Sequence, residues 1–290
     1  MRYIITFSNS CRHLLTACQV VVCNTGSQMS HQSKISDYSR YFSHRQKVNL
    51  VNMSAERNSE IYESLSGVVT SSAMDSLELM VTHSGHDTHG AEIGKATYKL
   101  TSEAFGSGIQ VLADLTGIVS GNIFQLRMHG TLEMFQRRIA PRVEISTPIF
   151  MLRGNFPLAF FRKEWKRVMG HLRNNNTLPG LVLQETLINL GAGGIGLTVD
   201  TNNRPTPLSM FFISVDKVPP VCALAETVWE QSGDEGVRCG FRFIHILKAD
   251  QERINTYISA VVRKNGGTPL DYKRNWVLLD KMVADGRTSE

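Results

Sequence analysis

Polar and apolar residues alternate in short runs along most of this chain. Lys47-Val48-Asn49-Leu50-Val51 is the first clear run. A period of two sends successive side chains to opposite faces, which is the pattern of a half-buried strand. Gly67-Val68-Val69-Thr70, Ser76-Leu77-Glu78-Leu79-Met80-Val81, Lys95-Ala96-Thr97-Tyr98-Lys99-Leu100, Ile109-Gln110-Val111-Leu112-Ala113-Asp114-Leu115 and Ile123-Phe124-Gln125-Leu126-Arg127-Met128 repeat it, with Gly-containing turns between them. Strands this short and this close predict a small β-barrel or sandwich over residues 36–134. A second series follows, at Val143-Glu144-Ile145-Ser146 and over 181–190, 196–199, 210–215, 221–229 and 237–243.

Two segments change period. Over 160–172 the apolar residues recur at helical spacing, with Arg162, Lys163, Lys166 and Arg167 on the other side, so an amphipathic helix is expected. Glu164 reads as a surface partner of Lys163. Over 250–263, Ile254, Ile258, Val261 and Val262 form one stripe, opened by Asp250 and closed by Arg263 and Lys264. Charges so placed complement a helix dipole. The fold expected is mainly β, in two domains.

Composition supports this and narrows the setting. The chain has 290 residues, 42% hydrophobic and 20% charged, which fits two folded domains with a core that needs no disulfide staples. The five cysteines, Cys11, Cys18, Cys23, Cys222 and Cys239, are odd in number and contain no CxxC. They read as reduced thiols, with Cys222 and Cys239 as small core residues, and a cytoplasmic setting follows. No run approaches the roughly 18–20 apolar residues of a membrane-spanning helix. Residues 1–35 are rich in Ser, Asn, Gln and Cys and read as a poorly ordered extension. Leu15-Thr16-Ala17-Cys18 is similar to a lipoprotein box, but Asn9, Ser10, Arg12 and His13 break the apolar core such a signal needs. Met29 and Met53 are alternative starts. Residues 266–290 form a tail containing Trp276-Val277-Leu278-Leu279. The net charge of +5 permits an anionic partner without demanding one.

Three constellations invite chemistry. Gly191-Ala192-Gly193-Gly194-Ile195-Gly196 spells G-x-G-x-x-G after an apolar strand, with Asp216 at a later strand end. A dinucleotide-binding crossover needs a helix at the third glycine. Here Leu197-Thr198-Val199 and then Pro205 and Pro207 follow, which is a strand and a turn. The glycines are then a tight turn, or a place where backbone approaches a ligand. The second constellation is Gln136-Arg137-Arg138-Ile139-Ala140-Pro141-Arg142, three arginines between two β-rich blocks. Guanidinium groups make planar, two-pronged contacts to the O6/N7 edge of guanine and to phosphate, so the cluster suits a compact anionic guanine ligand. A solvated linker, or arginine–carboxylate pairing between domains, is the other option. The third is His83-x-x-His86-x-x-His89 with Asp87, whose glycine-flanked spacing reads as solvated loop histidines rather than a metal site. Trp165 and Trp229 read as packing residues. No catalytic set emerges: GxSxG, HExxH and the Walker lysine loop are all missing from the sequence.

Arg138-x-x-x-Arg142 followed by Asn189-x-Gly191-x-x-Gly194 resembles the PilZ domain family, whose pattern is RxxxR and then D/N-x-S-x-x-G. Arg137 extends the match to the RRxxxR form. The preceding β-domain, and Gly240-Phe241-Arg242-Phe243 with a helix after it, are similar to the flagellar-brake YcgR type with its N-terminal PilZN domain. The resemblance covers about residues 36–265. It implies a PilZN-like split barrel over 36–134, a PilZ barrel with a closing helix over 135–265, and a ligand, cyclic-di-GMP, held by Arg137, Arg138, Arg142, Asn189, Gly191, Gly193 and Gly194. It implies no cofactor besides that ligand, no catalysis and no DNA partner. It also implies a ligand-driven reorientation of the two domains, a protein partner such as the flagellar motor or secretion machinery, a place in the cytoplasm or at the flagellar basal body, and control of motility, biofilm or exopolysaccharide output. Gly191 stands where the pattern has serine, which removes a hydroxyl whose hydrogen bond contributes roughly 0.5–1.5 kcal/mol. The basic helix lengthens the stretch between the motifs and is placed to cover the ligand or contact a partner. Gly191 also motivates a rival reading, an adaptor that no longer binds ligand. A second rival is a single-stranded nucleic-acid binder using the basic helix and a barrel face.

Overall fold

The computed structural model describes residues 37–53, 59–83, 93–104, 107–135, 142–175, 178, 180–216 and 219–266. The expectations at residues 1–35, Arg137, Arg138, Pro141, His86, Asp87, His89 and Trp276 lie outside the described residues.

Six strands form the first barrel: β1 (Lys47–Asn52), β2 (Ile61–Ala73), β3 (Ser76–Val81), β4 (Thr97–Ala104), β5 (Ser107–Val119) and β6 (Ile123–Phe135). They run β1-β4-β5-β6-β3-β2, and β1 pairs with β2 to close the ring. The period-two pattern explains the sidedness. Val48 and Leu50 are fully buried while Lys47 is exposed, and Leu79, Leu100, Ile109 and Leu115 join them inside.

The second barrel uses β7 (Val143–Arg153), β8 (Gln184–Gly191), β9 (Gly194–Val199), β10 (Leu208–Ile213), β11 (Val221–Gly233) and β12 (Gly236–Leu247), in the order β12-β11-β10-β7-β8-β9 with β9 paired back to β12. Helix α1 (Leu158–Asn175) follows β7 and helix α2 (Lys248–Lys264) follows β12. Ile254 and Ile258 of α2 enter the barrel core with Ile188, Leu190, Phe241 and Phe243. Every residue of β10 is buried because both faces are covered. Phe211 and Ile213 face the barrel interior, while Met210 and Phe212 pack on Phe161, Trp165 and Leu172 of α1. Burial on both faces turns an alternating pattern into a continuous apolar run.

Helix α1 is a brace rather than an open basic surface. Trp165 is buried and donates from Nε1 to the Cys222 carbonyl oxygen at 2.9 Å. Arg162 pairs with Glu63 of β2, and Arg173 Nη2 lies 2.8 Å from Glu60. Glu164 pairs with Arg167, one turn along at 2.8 Å, and not with Lys163. The helical spacing of three favours that pair, since adjacent residues on a helix point in different directions.

The barrels are joined by strand pairing. The N-terminal end of β2 and the C-terminal end of β12 extend past their own barrels and pair with each other: Ile61 with Leu247, Tyr62 with Ile246, and Glu63 with His245. Above this ribbon the carboxylate of Glu226, only 7% exposed, accepts hydrogen bonds from Ser66 of the first barrel (2.7 and 2.6 Å) and from Arg242 of its own barrel. Removing one partner of a buried ion pair strands the other charge, at about 3–5 kcal/mol when both are buried. Arg242 is 27% exposed, so the cost here is lower. Glu226→Ala is expected to lower the urea-unfolding free energy of the full chain by about 2 kcal/mol, and Ser66→Ala by about 1 kcal/mol.

Candidate ligand site

The first described residue of the second barrel is Arg142, exposed, immediately before β7. Val143 opposes Leu190 and Glu144 opposes Asn189 across β7 and β8. Val143, Ile188 and Leu190 point into the core, so Arg142, Glu144, Asn189 and Gly191 belong to the outer face. There the Arg142 side chain lies on Gly191: a Cβ at Gly191 would stand 3.1 Å from Arg142 Cγ and 3.5 Å from Nε. A serine at this position would press on the arginine. Bare backbone lets the guanidinium stem lie flat.

Strands β8 and β9 are joined by the two-residue turn Ala192-Gly193, with Gly191 opposite Gly194. The glycine run is therefore a hairpin. Its tip is pinned: the Gly193 carbonyl accepts from the Phe243 N–H at 3.0 Å, and the Ala192 carbonyl accepts from Gln251 of α2 at 3.3 Å. Gly194 is required by closeness, because a Cβ there would collide with the carbonyl oxygen of Phe241 on β12. Gly193 has open space around its α-carbon.

The structure thus brings Arg142, Asn189, Gly191, Gly193 and Gly194 to one corner of the barrel exterior, while Arg137 and Arg138 fall outside the described residues. The corner offers the Arg142 guanidinium, an amide side chain and the exposed backbone of Gly193. Those groups hold a ligand by fork-like and edge contacts. The basic helix α1 packs on β10 and β11.

Arg242 was not foreseen as a site residue. It opposes Gly194 on one side and Glu226 on the other, so it stands between the glycine corner and the barrel joint. Its signal in the sequence is a charged residue alternating with Phe241 and Phe243. His83 lies at the same joint, with Nε2 3.9 Å from Glu226 Oε2. Burial pulls its imidazole below the usual value, against the pull of the Glu226 charge. Among the described residues no group of three His, Cys, Asp or Glu side chains is placed to hold a metal ion. Burial pushes the Cys222 thiol well up, and raises Cys239 to about 11, so neither is a ready thiolate. No helix among the described residues is long and apolar enough to cross a membrane.

No family model matches the chain, and no curated protein matches its sequence. Among solved structures the chain is similar to the Bacillus subtilis inhibitor of motility MotI/DgrA, at 12% identity and a TM-score of 0.32, over 77% of this chain and 99% of that one. It is similar to YcgR from Escherichia coli, solved in complex with c-di-GMP, at 14% identity and 0.27, over 76% and 85%. It is similar to a tetrameric PilZ domain from Xanthomonas campestris at 12% identity and 0.31, over 44% of this chain and 91% of that one.

The hairpin geometry separates its glycines. Gly194→Ala is expected to cost about 1–3 kcal/mol in urea unfolding, because backbone and not a flexible side chain meets the new methyl. Gly193→Ala is expected to stay within about 0.5 kcal/mol of the parent.

Proposed function

We propose that this chain is a PilZ-type receptor for cyclic-di-GMP that senses the dinucleotide in the cytoplasm and carries out no catalysis. The observation that carries the reading is the position of Arg142: the second arginine of RxxxR lies on the first glycine of the N-x-G-x-x-G hairpin, beside Asn189, on the outer face of a closed six-stranded barrel. Two motifs separated by 46 residues in the sequence (143–188) meet at one corner. In this reading Arg138 and Arg142 grip guanine and phosphate, with Arg137 in support. Asn189 and the Gly193-Gly194 turn meet the other guanine. Gly191 forgoes the family hydroxyl and gains a close arginine, so the arginines carry more of the affinity than the second motif does.

Ligand at this corner sits one residue pair from Arg242 and so from the joint between barrels. A dinucleotide that binds one arrangement of the barrels more tightly shifts the population toward it, and by no more than its differential affinity. That shift is the signal passed to a protein partner of the motor or secretion class, with motility, biofilm or exopolysaccharide output as the result. The boundaries 36–134 and 135–265 serve in this reading as the moving parts.

Isothermal titration of the full chain with cyclic-di-GMP tests the proposal. Saturable binding is expected. Arg142→Ala and Arg138→Ala are each expected to weaken it by about 10- to 100-fold, the range of one charge-assisted contact, with an unchanged melting temperature. No saturation at tens of micromolar ligand overturns the receptor reading and leaves the adaptor, which the loss of the serine at Gly191 favours. Binding of single-stranded oligonucleotide that survives Arg138→Ala and falls steeply with salt overturns it in favour of the nucleic-acid binder.

A further inference from the structure

Strand β11 changes character halfway along. Val221 to Glu226 are buried, whereas all six residues from Val228 to Gly233 are exposed. The change comes from where β10 stops. Leu208, its first residue, opposes Glu226, and one further bond closes the seam, from the Thr227 N–H to the Pro207 carbonyl at 3.0 Å. Pro205 and Pro207 stand before Leu208, and proline has no N–H to offer a ladder. Beyond Thr227, β11 pairs only with β12 among the described residues, from Trp229 opposite Gly240 to Gly233 opposite Gly236. Its other edge there carries a row of backbone N–H and C=O groups that no described strand meets.

Folded proteins ordinarily blunt such an edge with proline or lysine, or cover it. Val228 to Gly233 contains neither residue, and the bulge lies at the start of the free edge, between Thr227 and Trp229, not within it. Side chains alternate along it. Trp229 and Gln231 share one face with Gly240 and Arg238, and Glu230 and Ser232 share the other with Cys239 and Val237. The charge of the hairpin is one-sided. Glu230, Asp234 and Glu235 are exposed, and the one cation between Val228 and Arg238 is Arg238 itself, on β12, across the ladder from the free edge. An extended segment added to an open edge gains affinity from main-chain hydrogen bonds and specificity from alternate side chains. Here one face offers an apolar contact at Trp229 and the other a carboxylate at Glu230, so the matching strand alternates apolar and basic residues. A second copy of the same edge fits poorly, because it sets one acidic hairpin beside another and like charges across a ladder repel.

We infer that the free edge of β11, from Val228 to Gly233, is a docking site for an extended basic segment of a partner protein, which joins the second barrel as an added strand. The site is made of backbone flanked by acidic side chains, and it does not rest on the receptor reading.

The test uses the full chain and three synthetic peptides: one alternating lysine and valine, the same peptide with its lysines replaced by glutamate, and the lysine peptide with alternate backbone nitrogens methylated. Fluorescence anisotropy reads binding, and amide hydrogen exchange reads the place. The lysine peptide is expected to saturate below about 1 mM, and the other two to bind at least about 10-fold more weakly. It should slow exchange at alternate amides between Val228 and Gly233. Glu230→Lys, an exposed substitution that should melt with the parent, is expected to weaken the lysine peptide by about 3- to 10-fold. Equal binding of the lysine peptide with and without methylated nitrogens reduces the effect to charge and overturns the added strand. Protection elsewhere than Val228 to Gly233, or no saturation by the lysine peptide, also overturns it. A dimer of the chain alone in sedimentation, with those same amides protected, gives the edge to a second copy and overturns the basic partner.

Discussion

A carboxylate out of water needs partners, and the joint of this molecule is organised around one. Glu226 sits on β11 with only its partners for solvation. Ser66 reaches it from the first barrel and Arg242 from the neighbouring strand. Each group on its own would be a liability, and together they fix where the first barrel meets the second. Arg162 also pairs with Glu63 on the α1 side, where the carboxylate is more open to water, with His245 Nδ1 3.4 Å from it. Charge pairing of this kind contributes little net stability but specifies position, because any other placement leaves a charge unpaired.

The glycines follow a different logic. Gly194 is dictated by the backbone of β12, Gly191 by the Arg142 side chain and Gly240 by an indole. A motif match treats such residues as one class, whereas in the fold each answers to a separate neighbour. The departure at Gly191 is a case in point: from sequence it is a missing hydroxyl, and in three dimensions it is the space that Arg142 occupies.

Much of the architecture was legible because period-two alternation reports sidedness directly. Runs such as Ser76–Val81 coincide with β3, and the stripe of Ile254 and Ile258 faces the core as expected. Strand ends were less legible. β11 runs 13 residues, and its last six, from Val228 to Gly233, are exposed on both faces, where alternation fades. Trp229 was read as packing, and its indole does lie on Gly240; its 45% exposure was hidden from the sequence because local pattern cannot show the bulge before it. Glu164 was paired with its neighbour Lys163, when the helix offered Arg167. Arg242 and Glu226 were visible only as polar interruptions, since their significance lies in the first barrel, far away along the chain.

The ribbon between the barrels has a mechanical consequence. Ile61–Glu63 and His245–Leu247 form a two-stranded ladder between the barrels, continued by the Lys248 N–H, which donates to the Glu60 carbonyl at 2.8 Å. Two-stranded ribbons resist stretching through their hydrogen bonds yet vary most in twist. Twisting the ladder would strain the Ser66–Glu226 and Arg162–Glu63 contacts, which also link the two barrels.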